Sequence, residues 1–225
     1  MTAETPRTPG LPKAQVRPAP DRTSTPTPSK VDRPTRRRGR TRARLIEAAF
    51  AVFAERGFGR ASIEEICEAA GYTRGAFYSN FSSLDELFFA LYEHRAQLIA
   101  DQVGGVLGRV SGQDTVEVLV NRVIEALTLD RDWIMVRTEF LLHAARSATI
   151  AATMTAHRTV VQETLARTLQ DVVDLTDLPP ALRSGASLAR AVMAVHDGVV
   201  VEMLLGTGTE ELKSWLRTLL LALLD

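Results

Sequence analysis

Apolar residues recur at helical spacing along most of the chain from residue 41 to the C-terminus. The i, i+3, i+4, i+7 pattern of one helix face is formed by Ile46, Ala49, Phe50 and Phe53. Gly57 follows Arg56 and is placed to end this helix. Because the same period continues through later segments, the pattern predicts an all-α protein.

A second helix, of about eight residues, has clear start and stop signals. Ser62 and Glu65 have the spacing of a capping box, and Gly71 is placed to end the helix. Its apolar face is formed by Ile63, Ile66, Cys67 and Ala70. The residue types and their spacing therefore predict both ends of this helix and its buried side.

Two further helices follow directly. Thr73 can cap a short third helix that turns Phe77 and Phe81 inward, and Ser83 can cap a fourth. Isolated helices of this length are unstable in water, so the short helices must pack on one another. Residues 62–81 then have the form of a helix-turn-helix, whose second helix enters the major groove of DNA.

The rest of the chain predicts a helical bundle. The glycines of residues 104–108 and 111–112 are expected to form a hinge before it. Asp114, with Glu117, is expected to cap a helix that ends at Leu127. Four more helices are predicted over about 131–146, 148–174, 182–205 and 209–224.

The last two predicted helices are more apolar than one buried face requires. Their apolar residues include Leu188, Val192, Val195, Val199, Met203, Leu204, Leu216, Leu219, Leu220 and Leu223. Charged residues such as Arg190, Asp197 and Arg217 interrupt both helices, which argues against a membrane span. We therefore expect no membrane association.

A net charge of zero conceals a strong asymmetry. Residues 1–44 contain twelve Lys or Arg against three Asp or Glu, whereas residues 45–225 contain fifteen against twenty-four. Eight of the ten prolines lie in the first 34 residues, so residues 1–36 are expected to form a disordered arm. Seven of residues 33–44 are arginines, which indicates contact with a polyanion; a solubilising or leftover tail is the alternative.

The sequence lacks the features that are typical of several functional classes of protein. The single cysteine, Cys67, allows no disulfide framework, and its place in an apolar helix face indicates packing. No set of His, Cys and Asp has metal-ligand spacing on one helix face, so we expect neither a metal nor a cofactor. The nucleophile-elbow, P-loop and zinc-protease motifs are absent, so no enzymatic activity is expected. Without a signal-peptide core, the chain is expected to be cytoplasmic.

Residues 41–87 resemble the N-terminal domain of the TetR family of bacterial transcriptional regulators. The resemblance lies in the glycine after the first helix and in the segments S-I-E-E-I at 62–66 and A-G-Y-T-R-G-A-F-Y at 70–78. It implies a three-helix DNA-binding domain over residues 37–86 and a helical domain for ligand binding and dimerisation over residues 87–225. The implied function is that of a homodimer on an inverted-repeat operator, a repressor released by a small-molecule effector. A helical protein-interaction module without specific DNA binding is the alternative.

The resemblance also places DNA contacts on particular residues. Those expected to contact DNA are Arg38, Arg40, Arg42, Arg60, Ser62, Thr73, Arg74, Gly75, Ala76, Tyr78 and Asn80. Arg74 can bind the O6 and N7 atoms of a guanine, and Gly75 allows close approach to the bases. Tyr78 is expected at a phosphate or half-buried between helices, and Ser62 at a phosphate or as a plain cap. Ser82 and Leu84 stand where many relatives have lysine, and the arginine arm can take over that role.

A ligand pocket is expected in the second domain. Its candidate residues are Trp133, Arg137, Phe140, His143, Met154, His157, Met193 and His196. They place aromatic, sulfur and polar groups on otherwise apolar helices, a mixture typical of small-molecule sites. Ordinary core or surface positions are the alternative for each, and residues 197–198 are interpreted as a helix-packing or interface feature.

Overall fold

The computed structural model describes residues 32–107, 115–173 and 178–224. The helices are α1 (Asp32–Arg56), α2 (Ile63–Ala70), α3 (Arg74–Tyr78), α4 (Leu84–Leu107), α5 (Val116–Ala126), α6 (Arg131–Ala144), α7 (Ala148–Val172), α8 (Gly185–Leu204) and α9 (Thr209–Leu224). Short 3₁₀ turns occur at Phe58–Arg60 and Pro180–Leu182. The described residues contain helices and turns and no strand, which confirms the all-α prediction.

Helix α1 begins earlier than the composition of the arm predicts. Its first residue is Asp32, so residues 32–36 are helical and the expected boundary at residue 36 is corrected. Pro34 lies in the first turn, where the helix requires no N–H group from it. Arginine is a good helix former, so the arginine run extends the helix instead of ending it. Residues 1–31, the remainder of the expected arm, lie outside the described residues.

Helices α2 and α3 have the start and stop signals that the sequence predicts. The Ser62 hydroxyl accepts the N–H of Glu65, and the Glu65 carboxylate accepts the N–H of Ser62 at 3.0 Å, which completes the capping box. Gly71 ends α2 at a φ of 70°, a left-handed conformation that favours glycine. Thr73 begins α3, because its hydroxyl accepts the N–H of Ala76 at 3.3 Å. The two bonds of the capping box, the turn at Gly71 and the cap at Thr73 together fix the position of α3 relative to α2.

One hydrophobic core joins the N-terminal helices to α6 and α7. Phe88 of α4 stacks on Phe140 of α6 with 3.6 Å between ring centroids. Phe58, in the turn after α1, meets Phe140 edge-on at 4.9 Å. Helix α4 belongs to both units, since it runs unbroken from Leu84 to Leu107. The expected hinge is therefore wrong for Gly104 and Gly105, which lie inside α4, while residues 108–114 lie outside the described residues.

Helices α5 to α8 differ from their predicted bounds by a few residues, whereas α9 has the predicted bounds of 209–224. Helix α5 is capped by Thr115, whose hydroxyl accepts the N–H of Val118, and not by Asp114. Helix α8 begins at Gly185 because Ser184 supplies its cap and the preceding proline turn is separate. A second hydrophobic core of α5, α6, α8 and α9 consists of Ile124, Ile134, Val199, Val200, Met203, Leu212, Leu216 and Leu220.

Candidate nucleic-acid interface and internal cavity

Helix α3 has an exposed, polar first turn and a buried, apolar side. Thr73, Arg74 and Gly75 are exposed, whereas Phe77 is fully buried. Tyr78 remains 50% exposed, and its ring meets that of Phe77 edge-on at 5.4 Å. The exposed turn is therefore fixed in position by the buried side of its own helix.

Arg74 is held by two neighbours. Its Nη1 atom lies 2.6 Å from Oε1 of Glu64 in α2, and its guanidinium carbon lies 5.9 Å from the centre of the Tyr78 ring. A hydrogen bond to Tyr78 and the negative charge of Glu64 raise the pKa of Arg74. Both members of the ion pair are exposed by more than half, at 59% and 56% of the side chain. Arg74 is thus charged and oriented at the start of α3, and it must leave Glu64 to contact a base.

The arginines of α1 lie beside the helix-turn-helix. Arg38, Arg40 and Arg42 are exposed. The guanidinium of Arg38 donates to the carbonyl oxygen of Ser79, just after α3, at 3.1 Å. That of Arg42 lies 5.0 Å from the centre of the Phe81 ring. The structure therefore brings the arginine run and α3 together on one side of the N-terminal unit.

Arg44 is a residue of this surface that the sequence analysis did not single out. Hydrogen bonds from Thr41 and Arg44, with a smaller contribution from the charge of Arg40, lower the pKa of Tyr72. Tyr72 lies in the turn between α2 and α3, directly before Thr73. The arginines of α1 therefore reach the turn that precedes α3 as well as its end. The helical spacing of these arginines was the available signal.

Besides Thr73, whose hydroxyl caps α3, three of the expected DNA contacts are engaged in local bonds. The guanidinium of Arg60 donates to the carbonyl oxygen of Arg56 at 2.8 Å. The hydroxyl of Ser62 is used within the capping box, which favours its interpretation as a cap. Asn80 donates its amide N–H to the carbonyl oxygen of Ala76 at 2.8 Å. Its side-chain oxygen is buried and has no hydrogen-bond partner among the described residues, so the amide turns toward the protein.

A cavity of about 250 Å³ lies within the bundle formed by α4 to α9. Aliphatic side chains such as Ile99, Leu119, Val123, Leu165 and Leu188 form most of its wall. Four of the expected pocket residues line it, namely Trp133, Arg137, Met193 and His196. The structure therefore brings together half of the expected pocket set.

The other four expected pocket residues lie elsewhere. Phe140 and Met154 belong to the core shared with the N-terminal helices. His143 Nε2 lies 3.0 Å from Oδ1 of Asp85 at the start of α4. His157 Nδ1 lies 3.2 Å from Oε1 of Glu93, along a groove between α4 and α7. These four residues do not line the cavity, because the sides of α6 and α7 that carry them face α4 and the N-terminal unit.

The polar end of the cavity is centred on Asp197. Its Oδ1 atom lies 3.2 Å from Nη1 of Arg137 and 3.6 Å from Nδ1 of His196, and its Oδ2 atom is bonded by Arg158. Burial alone would raise the pKa of Asp197, but hydrogen bonds from His196 and Arg158 and the charges of both arginines hold it well below its usual value. Asp197 thus joins α6, α7 and α8, as expected of a packing residue, and it also lines the cavity. Arg158 was missed, since no sequence pattern relates it to Asp197.

Helix α6 connects the cavity wall to the helix-turn-helix. Arg137 lines the cavity, and two residues later the Glu139 carboxylate accepts the backbone N–H of Phe58 at 2.6 Å. Gly57 adjoins this bond at a φ of 83°, and a Cβ atom there would lie 2.9 Å from the Glu139 carboxylate. The carboxylate therefore fits closely against the turn that joins α1 to α2.

Replacing Glu139 with alanine is expected to destabilise the protein by about 1 to 3 kcal/mol, because a partly buried N–H group loses its partner. Urea unfolding at one fixed protein concentration measures this as a lower midpoint with an unchanged slope. Glu139→Gln, which keeps an acceptor oxygen, should retain most of the stability, and Glu163→Ala, at an exposed position of α7, is the control. Equal midpoints for the Glu139→Ala and Glu163→Ala proteins would contradict the importance of this bond.

Comparison with known proteins places this fold in a family. The family profile described as "Bacterial regulatory proteins, tetR family" matches residues 45–91. The HTH-type transcriptional repressor AcnR of Corynebacterium efficiens is 28% identical over 176 residues, which cover 76% of this chain and 86% of AcnR. The HTH-type transcriptional regulator TtgR of Pseudomonas putida is 47% identical over 53 residues, 24% of this chain and 25% of TtgR. Residues 45–91 therefore match the DNA-binding domain of the TetR family.

The likeness to solved TetR-family proteins extends over both units of the fold. A Mesorhizobium loti protein described as a TetR-family transcriptional regulator superposes with a TM-score of 0.66 at 20% identity. The match covers 84% of this chain and 96% of that protein. At this identity the match concerns the fold alone.

Helix α4 starts with a serine cap. The Ser82 hydroxyl donates to the Glu86 carboxylate at 2.6 Å, and the Ser83 hydroxyl accepts the N–H of Glu86 at 3.1 Å. Hydrogen bonds from Ser82 accordingly lower the pKa of Glu86. Ser82 thus serves the helix start at the position where the family resemblance would place a lysine.

Two further observations, on metal ligands and on membrane spans, apply to residues 32–107, 115–173 and 178–224. Among their His, Cys, Asp and Glu residues, no three are grouped closely enough to hold a metal ion. Each of their helices is too short or too polar to cross a membrane.

Proposed function

We propose that this protein is a transcriptional repressor that binds an inverted-repeat operator as a homodimer and leaves it when a small molecule occupies the cavity. The observation that carries the proposal is the joint surface of α3 and the α1 arginines, where Arg38 is bonded to the carbonyl oxygen of Ser79. Positive side chains beside an exposed recognition helix fit the phosphates that flank the major groove. The repressor AcnR, to which the chain is similar over most of its length, supports the direction of regulation. Such a protein would act in the bacterial cytoplasm, where its DNA is.

A titration of labelled DNA from the chain's own promoter region, followed by fluorescence anisotropy at two salt concentrations, tests this function. The expected result is tighter binding to that DNA than to random DNA of equal length at both salts. Equal affinities for both DNAs would instead favour a helical protein-interaction module whose basic surface attracts any polyanion.

The homodimer is supported by an apolar surface on the last two helices. Val201 of α8, Leu205 directly after the end of α8, and Trp215 and Leu219 of α9 are exposed, Leu205 by 77%. Gly198, on the same exposed stretch of α8, would meet nothing within 4 Å with a Cβ atom, so a second helix can approach closely there. Such a patch of large apolar side chains is typical of an interface between subunits. We infer that a second copy of the chain packs on it.

Leu205→Glu and Trp215→Glu are each expected to convert the dimer to a monomer, because a buried carboxylate at a twofold interface has no partner and occurs twice. Light scattering coupled to gel filtration measures the mass directly. Point substitutions are preferable to removal of α9, since Leu212 and Leu216 of α9 belong to the core of the same subunit. Leu142→Glu alters a leucine of α6 that is 58% exposed and should leave the dimer intact. A dimer that survives both interface substitutions would place the interface elsewhere.

Helix α6 supports a route from effector to DNA. One side of it supplies Trp133 and Arg137 to the cavity, while Glu139 and Phe140 contact the turn after α1 and helix α4. A ligand that draws Arg137 away from Asp197 would move α6 against both contacts. Release then requires that the ligand bind the displaced arrangement more tightly than the DNA-bound one.

A further inference from the structure

The polar groups of the cavity are gathered at one end and come from four helices. They are Tyr92 of α4, Arg137 of α6, Arg158 of α7, and His196 and Asp197 of α8. The opposite walls carry aliphatic side chains. The cavity therefore has a charged end and an apolar remainder, which is the shape of an amphipathic ligand.

The charged end carries an excess of positive charge. Two guanidiniums face a single carboxylate, Asp197, which is held ionised by its two arginines and by His196. Burial raises the pKa of Tyr92, so its hydroxyl stays neutral and can donate. Glu93, the next acidic residue along α4, is engaged with His157 on the groove side. The group that completes this end must therefore be an anion.

The hydrogen-bond donors point to the same conclusion. Each guanidinium has five N–H donors, and the bonds to Asp197 use only part of them. Arg137 is 19% exposed, so its remaining donors have little access to water. A carboxylate satisfies paired N–H donors of arginine with the best geometry and the greatest strength.

We propose that the cavity binds an amphipathic organic acid, with its carboxylate at Arg137 and Arg158 and its hydrocarbon part against the aliphatic wall. This inference rests on the proposed function, in which the cavity is the effector site. A neutral ligand of the same shape would leave guanidinium donors unmatched. A cationic ligand would face two arginines and one carboxylate, whose net positive charge repels it.

Isothermal titration of the full-length protein with matched straight-chain compounds tests the ligand class. The probes are the carboxylates from hexanoate to dodecanoate and, for each, the alcohol and the alkyltrimethylammonium ion of equal chain length. At the chain length that binds best, the acid is expected to bind at least about tenfold more tightly than the alcohol and the ammonium ion. An alcohol or an ammonium ion that binds as tightly as the acid, or the absence of binding by every acid, overturns the inference.

Substitutions then assign the preference to the arginines. Arg158→Gln and Arg137→Gln are each expected to weaken acid binding about tenfold while alcohol binding stays within about twofold. Arg167→Gln, at an exposed position of α7, should change neither. Arg158→Lys keeps the charge and should retain part of the preference, which separates loss of the anion site from loss of the fold. If the acid preference persists in both glutamine variants, the carboxylate is held elsewhere and the assignment fails.

Operator release, measured with the same acids, separates this inference from the proposed function. Acid binding that leaves the protein on its operator supports the ligand class and contradicts the effector role. Release by alcohols or ammonium ions, with no advantage for acids, supports the effector role and overturns the ligand class.

Discussion

Replacing Arg74 with alanine is expected to remove most of the discrimination between operator and random DNA while leaving general affinity largely in place. A bidentate arginine–guanine contact contributes about 1 to 3 kcal/mol of base preference, so two half-sites contribute about 2 to 6 kcal/mol. The expected loss of specificity is therefore between about thirtyfold and about twenty-thousandfold. Anisotropy titrations of both DNAs at one salt concentration measure the ratio. Equal weakening on operator and random DNA would show that Arg74 contacts phosphate only.

Glu64 provides a sharper test of the same assignment, because it holds Arg74 at 2.6 Å in the free protein. Glu64→Gln releases the guanidinium and should tighten binding to operator. Glu68→Gln, also exposed on α2, removes the same charge without touching the pair. Any difference between the two variants then measures the cost of separating Arg74 from Glu64, whereas identical effects would mean that only net charge matters.

The N-terminal unit could be predicted almost residue by residue because its signals are local. Ser62 bonds to Glu65, and Thr73 to Ala76, each three residues along the chain. Gly71 ends α2 through its own left-handed conformation. Such signals are complete within one turn of helix, so the sequence alone carries them.

The start of α1 was mispredicted because composition describes a segment as a whole. Proline and charge are abundant in residues 1–36, and this average obscures the fact that Pro34 lies in a first turn where a helix tolerates it. The same average concealed the helical spacing of the arginines that follow. A helix that starts at Asp32 carries these arginines on a rigid support beside α3.

The cavity could be predicted only in part because its polar end depends on distant pairs. Arg158 and Asp197, for example, are separated by 39 residues. No hydrophobic period relates such residues, and only the packing of α6, α7 and α8 brings them together. Trp133 and His143 are ten residues apart on the same helix, yet the first lines the cavity and the second contacts Asp85. The residue types predicted a pocket, but the orientation of each helix determines which residues line it.

The double variant Arg38→Gln with Arg40→Gln is expected to flatten the salt dependence of operator binding. Each phosphate neutralised contributes about 0.9 to the slope of log affinity against log salt, so four arginines in a dimer contribute up to about three to four units. Substitution is preferable to removing residues 1–40, because α1 begins at Asp32 and such a deletion would cut away its first turns. Anisotropy titrations over a range of salt concentrations measure the slope.

The matched control for that slope is Arg131→Gln with Arg167→Gln, which changes the net charge equally at exposed positions of α6 and α7. A general attraction between the protein and DNA depends on net charge, and both double variants would then weaken binding alike. Contact with particular phosphates depends on position, so only the α1 variant should lose slope, on operator and random DNA together. Arg38 is already bonded to the end of α3, which places its charge at the edge of the surface that meets the groove. If the two double variants keep the slope of the unaltered protein, the α1 arginines lie beside α3 without touching the DNA backbone.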